Sequence, residues 1–261
     1  MREELRGWWW FQSPIRPRYN VQLAVSEVAY RYCPTRRDLW LRRVQGVRGK
    51  PSEAMLRGRV VHAAFHQAAL DAMRLYADGA PAHEIAAVLA ERAGEAAKRV
   101  LEEAGAPPAL QGFAERVYRV MAYEWSVWVW ETGSPPWLAE WEVDGSLVGL
   151  SKRLRVDALA PGLIVEVKYG RWSSDYPVAL AGYALAIESS LETPVDYGVV
   201  ILVNGGVDRV RVTLEPVYIG NEERLLFLRA RDEAAEIVLT GDDPGKPPSC
   251  PETCPLRDVC G

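Results

Sequence analysis

At Gly133-Ser134-Pro135-Pro136 the pattern of this chain changes, and that change limits the folds open to it. Before it, apolar residues recur at helical spacing. "VSEVAYRYC" reads as a short helix with Ser26 as N-cap, running to Pro34, and "TRRDLWLRRVQG" as a second that ends at Gly46. A long helix starts at Ser52 and runs to about Gly79. Two more cover 82–104 and 109–132, stopped by "GAPP" and "GSPP". After the change the runs are short. "WLAEWEV" and "SLVGLSKRLRVDAL" flank an Asp-Gly pair, the usual mark of a hairpin. "APG" turns the chain into "LIVEVKYG". A helix over 175–190, the strand "DYGVVILV", an Asn-Gly-Gly turn, the strand "VDRVRVTL" and a helix over 220–240 follow. Helices followed by β-β-β-α-β-β predict an α/β (α+β) protein with a mixed central sheet. The expected division is 1–135 for the helical half, 136–240 for the sheet-bearing core and 241–261 for a cysteine-rich tail, within one integrated domain.

The chain has 261 residues, 49% of them hydrophobic, enough to bury a sizeable core. It has no apolar run of about 20 residues that could span a bilayer. "MREELRGWWWFQSP" opens with too short an apolar run for a secretory signal, so the expected location is the cytoplasm. The "WWWF" tract is expected to pack on the protein's own core. A net charge of −4 excludes a polycation, yet Arg31 to Arg59 holds nine basic residues against Asp38 and Glu53. A local +7 in an acidic chain implies a polyanionic partner near Arg36, Arg37, Arg42 and Arg43, or else a solvated helix face.

"LIVEVKYG" places Glu166 and Lys168 inside an apolar strand. If Pro161-Gly162 is a two-residue turn, Ala160 faces Leu163 and Asp157 lies opposite Glu166. Alternation then sets Arg155, Asp157, Glu166 and Lys168 on one face, with Val156, Ala158, Val165 and Val167 on the other. Opposed carboxylates about 5 Å apart repel. Either a divalent cation compensates them, or ion pairs to Arg155 and Lys168 do.

Four cysteines complete the inventory: Cys33, Cys250, Cys254 and Cys260. Three clustered cysteines and a remote fourth, with Pro after Cys33, Cys250 and Cys254, suit a 4Fe-4S cluster first, zinc second and disulfides third. Such a cluster would staple the helical half to the tail across a long loop.

His62 follows Gly58 by four residues on the long helix, and His66 lies one turn on; "HAAFH" lacks the Glu of a zincin. Gly58–His62, Asp157, Glu166-Val167-Lys168 and Tyr183, in that order, resemble the RecB-like nucleases of the PD-(D/E)XK fold. Ala179 stands where that family has Gln. With the cysteines, the chain resembles the CRISPR-associated iron–sulfur exonucleases, the fourth of the Cas families. "SEVAYRYCPTRRDLWLRRV" and "ALAGYALAIE" bring it nearest to the archaeal Csa-type branch of type I-A systems. The resemblance implies a metal-dependent nuclease acting on single-stranded DNA or overhangs, which trims fragments before the CRISPR integrase inserts them. It implies Mg²⁺ or Mn²⁺ held by His62, Asp157, Glu166 and the Val167 carbonyl, with catalytic parts for Lys168 and Tyr183 and integrase subunits as partners. Two other readings fit the residues: a non-catalytic iron–sulfur DNA-binding subunit of the adaptation complex, and a repair or recombination nuclease outside CRISPR.

Overall fold

The computed structural model describes residues 1–160, 162–250, 254 and 256–260. The helical half is α1 (Val25–Ala29), α2 (Arg37–Arg43), α3 (Glu53–Ala77), α4 (Ala82–Glu91), α5 (Ala93–Ala104) and α6 (Gln111–Thr132). Ser52 caps α3 as expected, its hydroxyl accepting from the Met55 amide at 3.3 Å. Two boundaries differ from the sequence reading. Helix α1 ends at Ala29 because Tyr30 is extended, and its start is capped by Glu27, which takes the Ala24 amide at 2.9 Å. The stretch 82–104 breaks at Arg92, so α4 and α5 pack separately on α6.

The sheet holds β1 (Leu138–Val143), β2 (Leu154–Ala160), β3 (Leu163–Tyr169), β4 (Tyr197–Gly205) and β5 (Val210–Tyr218), in that spatial order. Only β3 and β4 are parallel, and α7 (Asp175–Leu191) makes the crossover between them. The other pairs are antiparallel. The expected mixed α/β architecture is borne out. The Asp-Gly hairpin is not: a wider connection, 144–153, joins β1 to β2. Asp144 accepts the Ser146 amide at 2.8 Å, a short 3-10 turn follows, and Leu150 bridges Leu23 in the N-terminal segment. That tertiary bridge holds the loop open where local signals favour a tight turn.

Each face of the sheet covers its own core. Helices α3, α5 and α6 pack with Ala158, Val165, Val167, Ile201 and Val203 on one side. Helices α1, α7 and α8 (Asn221–Thr240) pack with Val156, Ile164, Val200 and Leu202 on the other. Val156 therefore does not share a core with Ala158, Val165 and Val167, contrary to simple alternation. The irregularity lies beside Glu140, whose φ of 55° interrupts the β1 partner strand between its rungs to Ala158 and Val156.

The N-terminal segment is strapped to the α7 side by buried charges. Glu188, fully buried on α7, accepts from Arg6 Nη1 and Arg224 Nη1 at 2.7 Å, Arg224 Nη2 and the Gly7 amide at 2.8 Å, and the Val195 amide at 3.1 Å. So many donors offset the desolvation of the carboxylate. Gly7 must be glycine, since a Cβ there would stand 2.1 Å from the Leu185 carbonyl oxygen. Trp9 packs on the core as expected of the aromatic tract, but Trp10 and Phe11 stay exposed.

The tail is tied to α2. Arg37 grips Asp243 at 2.9 Å, Thr35 donates to the Gly245 carbonyl at 2.7 Å and the Trp40 indole to Gly241 at 2.8 Å, while Leu41 packs with Cys254 and Leu256. A last turn, α9 (Arg257–Cys260), returns Cys260 to Arg37. No helix in the described residues is long and apolar enough to cross a membrane.

Candidate active site

Pro161 lies outside the described residues, but its flanks fix the register. Ala160 faces Leu163, Leu159 faces Ile164 and Ala158 faces Val165. The next rung of that series would set Asp157 against Glu166, as the sequence reading required. There the strands part. The Val167 amide donates to Asp157 Oδ2 at 2.7 Å, so the carboxylate stands in for a strand carbonyl. The other oxygen, Oδ1, meets His62 Nδ1 of α3 at 2.9 Å. Glu166, 2% exposed, pairs through Oε1 with Lys168 and takes the Tyr30 hydroxyl at 3.3 Å. Its Oε2 is buried and has no partner among the described residues.

The electrostatics follow from this packing. Burial works against every charge here, and the neighbours decide each outcome. For Asp157 the charges of His62 and Lys168 and the Val167 amide outweigh burial, and its carboxyl titrates below the usual range. For Glu166 burial wins, with Asp157 adding to it against Lys168, and the carboxyl titrates high. The His62 imidazole is raised despite burial because Asp157 faces it. Lys168 is raised by Glu166 and Asp157 against its burial. Tyr183 on α7 is pushed far up by burial and then by the nearby Glu166 and Asp157 charges. Two carboxylates driven apart in affinity for a proton sit beside a lysine and a histidine, and Glu166 at 2% exposed is not part of a surface ion-pair lattice.

The structure thus brings together His62, Asp157, Glu166, Lys168 and Tyr183. It separates others. Arg155 is outside the group: it reaches Glu140 at 3.2 Å and Glu142 at 3.6 Å on β1. His66 turns away to Glu103 at 3.0 Å. Ala179, one turn before Tyr183, is fully buried in the α7 core and offers no polar group. Tyr30 was missed by the sequence reading. Only the tertiary placement of α1 brings it to Glu166, and its ring lies 5.6 Å from Lys168 Nζ. Tyr30 packs edge-on against Tyr176, which packs in turn on Trp172. With Tyr32 these make an aromatic rim, of which Tyr32 and Trp172 are exposed. On the other side, a groove of about 530 Å³ runs past Gly58, Arg59 and His62. A Cβ on Gly58 would meet nothing, so neither packing nor backbone conformation requires glycine there.

The basic segment needs correction. Arg36 is buried: its guanidinium caps the end of α1 through the Glu27 and Val28 carbonyls at 3.0 and 2.9 Å. Arg37 holds Asp243 and the Cys260 carbonyl and sulfur. Arg42 pairs with Asp38 at 2.7 Å and Arg43 with Glu27 at 2.8 Å. Arg36 and Arg37 are braces of the fold, not a free face toward DNA. Within 31–59, the exposed cations without a carboxylate partner among the described residues are Arg59, which lines the groove beside His62, and Arg48 and Lys50, which line a neighbouring depression that shares Met55 with it.

The four cysteines gather at the start of α2, and none is in a disulfide. Cys33 Sγ lies 3.3 Å from the Thr35 hydroxyl. Burial opposes its thiolate, but that hydroxyl and the amides of Thr35, Arg37 and Asp38 win and lower its pKa. Cys254 is raised by burial and then by its neighbours Cys250, Asp38 and Cys33. Cys260 Sγ accepts from Arg37 at 3.1 Å. Free thiols set among amide and guanidinium donors fit a thiolate-ligated group by their chemistry. As placed, no three His, Cys, Asp or Glu side chains among the described residues close on a single ion.

Fold and site together define a mixed α/β protein with a cluster of charged side chains where two strands diverge. The whole chain, 1–261, matches the family described as CRISPR-associated exonuclease Csa1. It is 37% identical to the CRISPR-associated exonuclease Csa1 of Thermoproteus tenax over 98% of this chain and 90% of that protein. It is 32% identical to the protein of the same name from Saccharolobus solfataricus, over 99% of this chain and 91% of that one. The chain belongs to the Csa1 family of CRISPR-associated nucleases.

Proposed function

We propose that this chain is a metal-dependent DNA nuclease of the PD-(D/E)XK type that trims single-stranded DNA or overhangs before the CRISPR integrase inserts them. One observation carries the reading: Glu166 Oε2, buried and unpartnered, sits next to the His62–Asp157 pair. An orphaned carboxylate oxygen of raised pKa is a place for a cation. His62, Asp157, Glu166 and the Val167 carbonyl would hold Mg²⁺ or Mn²⁺. When bound, the cation supplies a water of lowered pKa and a clamp on the phosphate. Lys168 stabilises charge developing on the phosphate oxygens. Tyr30 and Lys168 keep Glu166 in position. The aromatic rim stacks on unpaired bases, which favours single strands over duplex. Cys33, Cys250, Cys254 and Cys260 would carry a 4Fe-4S cluster that locks the tail onto α2.

The test is cleavage of labelled single-stranded, overhang-bearing and blunt duplex DNA with Mg²⁺, Mn²⁺ or EDTA, comparing the wild type with Glu166→Gln. Metal-dependent cleavage by the wild type alone supports the reading. Equal cleavage by both proteins, or cleavage in EDTA, defeats it. Iron analysis of anaerobically purified protein should approach about four per chain; one zinc and no iron would refute the cluster.

A further inference from the structure

The "WWWF" tract and the segment behind it are not used by the site above. They form a groove of about 570 Å³, lined by Trp10, Phe11, Arg16, Arg18, Tyr19 and Gln22 among others. Trp10 and Phe11 are 39% and 48% exposed and meet edge to face, with centroids 5.6 Å apart. No acidic side chain lines this groove among the described residues, in a chain of net charge −4. Arg16 is exposed and has no carboxylate partner among the described residues, and Arg18 shares one ion pair, 3.2 Å to Asp232. Behind Arg16 and Arg18 lies a separate depression in which Asp232, Glu233 and Glu236 balance Arg16, Arg18 and Arg229. The excess of positive charge is thus on the side of the first groove, where phosphates are drawn.

The groove is tied to the site through α1. Its floor includes Ser146, Leu147 and Gly149 of the β1–β2 connection. That connection rests on the C-terminal end of α7, where Ser190 Oγ donates to the Asp144 carbonyl at 2.7 Å. Leu23 is bridged to Leu150, and α1 then leads straight to Tyr30 on Glu166. From Gln22 to Tyr30 the chain covers at most about 20 Å, given 1.5 Å per helical residue and about 3.3 Å per extended one. At the stacked spacing of about 3.4 Å per nucleotide, that is roughly five or six nucleotides, and fewer for an extended strand.

We propose that this groove is a second docking site for single-stranded DNA, which holds the strand several nucleotides from the reacting phosphate. Trp10, Phe11 and Tyr19 offer stacking faces and Arg16 and Arg18 take phosphates, the combination that binds single strands without reading sequence. The proposal rests on the nuclease reading only for the identity of the strand's other end.

The test uses full-length protein and fluorescein-labelled oligo(dT) of 6 and 20 nucleotides, by anisotropy over a range of salt. Trp10→Ala should weaken binding of the 20-mer about tenfold, since one stacked base is worth ~1–3 kcal/mol, and weaken the 6-mer, which cannot fill both sites at once, by less. Arg16→Glu should weaken the 20-mer and flatten its salt slope by about 0.7 or more. Neither should change the cleavage rate at saturating DNA. Both side chains are exposed, so thermal midpoints should hold; if Trp10→Ala unfolds, Arg16→Glu decides. Unchanged 20-mer binding in a folded Arg16→Glu protein overturns the proposal and points the groove toward a protein partner. A wild type that binds the 20-mer through Trp10 and Arg16 but cuts nothing would keep this site and remove the nuclease reading.

Discussion

Asp157→Ala separates a cation site from a lattice of surface ion pairs. Opposed carboxylates suggest at first that deleting one relieves a repulsion and stabilises the metal-free protein. The structure reverses that expectation. Asp157 Oδ2 is the acceptor for the Val167 amide at 2.7 Å, and Val167 is fully buried. Alanine leaves that amide without a partner, at about 1–3 kcal/mol. The lost attraction to His62, whose ring is 31% exposed, adds at most about 1 kcal/mol after solvent screening. The metal-free variant should therefore be less stable by about 1–4 kcal/mol. For 261 residues, an unfolding entropy of ~2.1 cal/mol/K per residue turns this into a fall in Tm of about 2–7 °C. The assay is calorimetry or circular dichroism in EDTA, then with 5–10 equivalents (about that excess, enough to saturate a carboxylate site) of Mn²⁺. Metal should raise the wild-type Tm and leave that of the variant unmoved. A variant as stable as wild type in EDTA, or one that still gains Tm and cleaves DNA with metal, would refute the argument.

Other outcomes follow from the same contacts. Lys168→Ala should lower kcat at least tenfold and change DNA affinity little, read from single-turnover cleavage beside anisotropy; a pure affinity loss would make Lys168 a docking residue. The His62–Asp157 pair has a pH window with a definite sign. His62 is raised, so its contribution is full below the ordinary 6.5 and is lost as pH rises through the folded value. Asp157 is depressed, so its contribution is full above the ordinary 3.8 and is lost as pH falls through the folded value. The Tm gap between wild type and Asp157→Asn should thus be widest at about pH 4–6.5, which a pH series of melts checks. Because Glu166 titrates high, Mn²⁺ binding should release a proton and tighten with pH, measurable by calorimetry in buffers of different ionisation heat. Arg36→Ala should lower Tm by about 3–5 °C by uncapping two α1 carbonyls. Arg59→Ala should leave Tm alone and reduce the salt slope of single-strand binding by about 0.7.

The layout of the chain was readable because its signals are local. Ser52 caps α3, period-two runs mark the strands, and the Ala160–Leu163 facing pair sets the register up to the point where the strands part beside Asp157 and Glu166. What sequence could not show depends on distant packing. Tyr30 reaches Glu166 only because α1 lies across α7. Arg36 looks like its neighbours in a basic run, yet it is buried because α1 ends with carbonyls that need donors. The Asp-Gly pair promises a tight hairpin, and the Leu23–Leu150 bridge overrides it. The break at Arg92 has only Gly94 nearby to announce it, and that glycine lies inside the first turn of α5. Alternation fails at Val156 beside the positive φ of Glu140, a backbone state that a glutamate does not advertise.

The strap at the start of the chain bears on how the protein is made. Arg6 and Glu188 are 182 residues apart, and Arg224 donates to the Leu5 carbonyl across 219. Helices α3 to α6 find their partners nearby in sequence and can collapse early. The first residues cannot. At 5–20 residues per second, roughly 10–40 s pass between the synthesis of Arg6 and that of Arg224. Through that interval Gly7 has no α7 to rest on and Trp8 to Phe11 have no stable cover. The aromatic segment is therefore made long before the helices that seat it, and it closes over α7 and α8 only after both exist. Slowing translation between Arg6 and Arg224 should lengthen that wait and cost yield of folded protein.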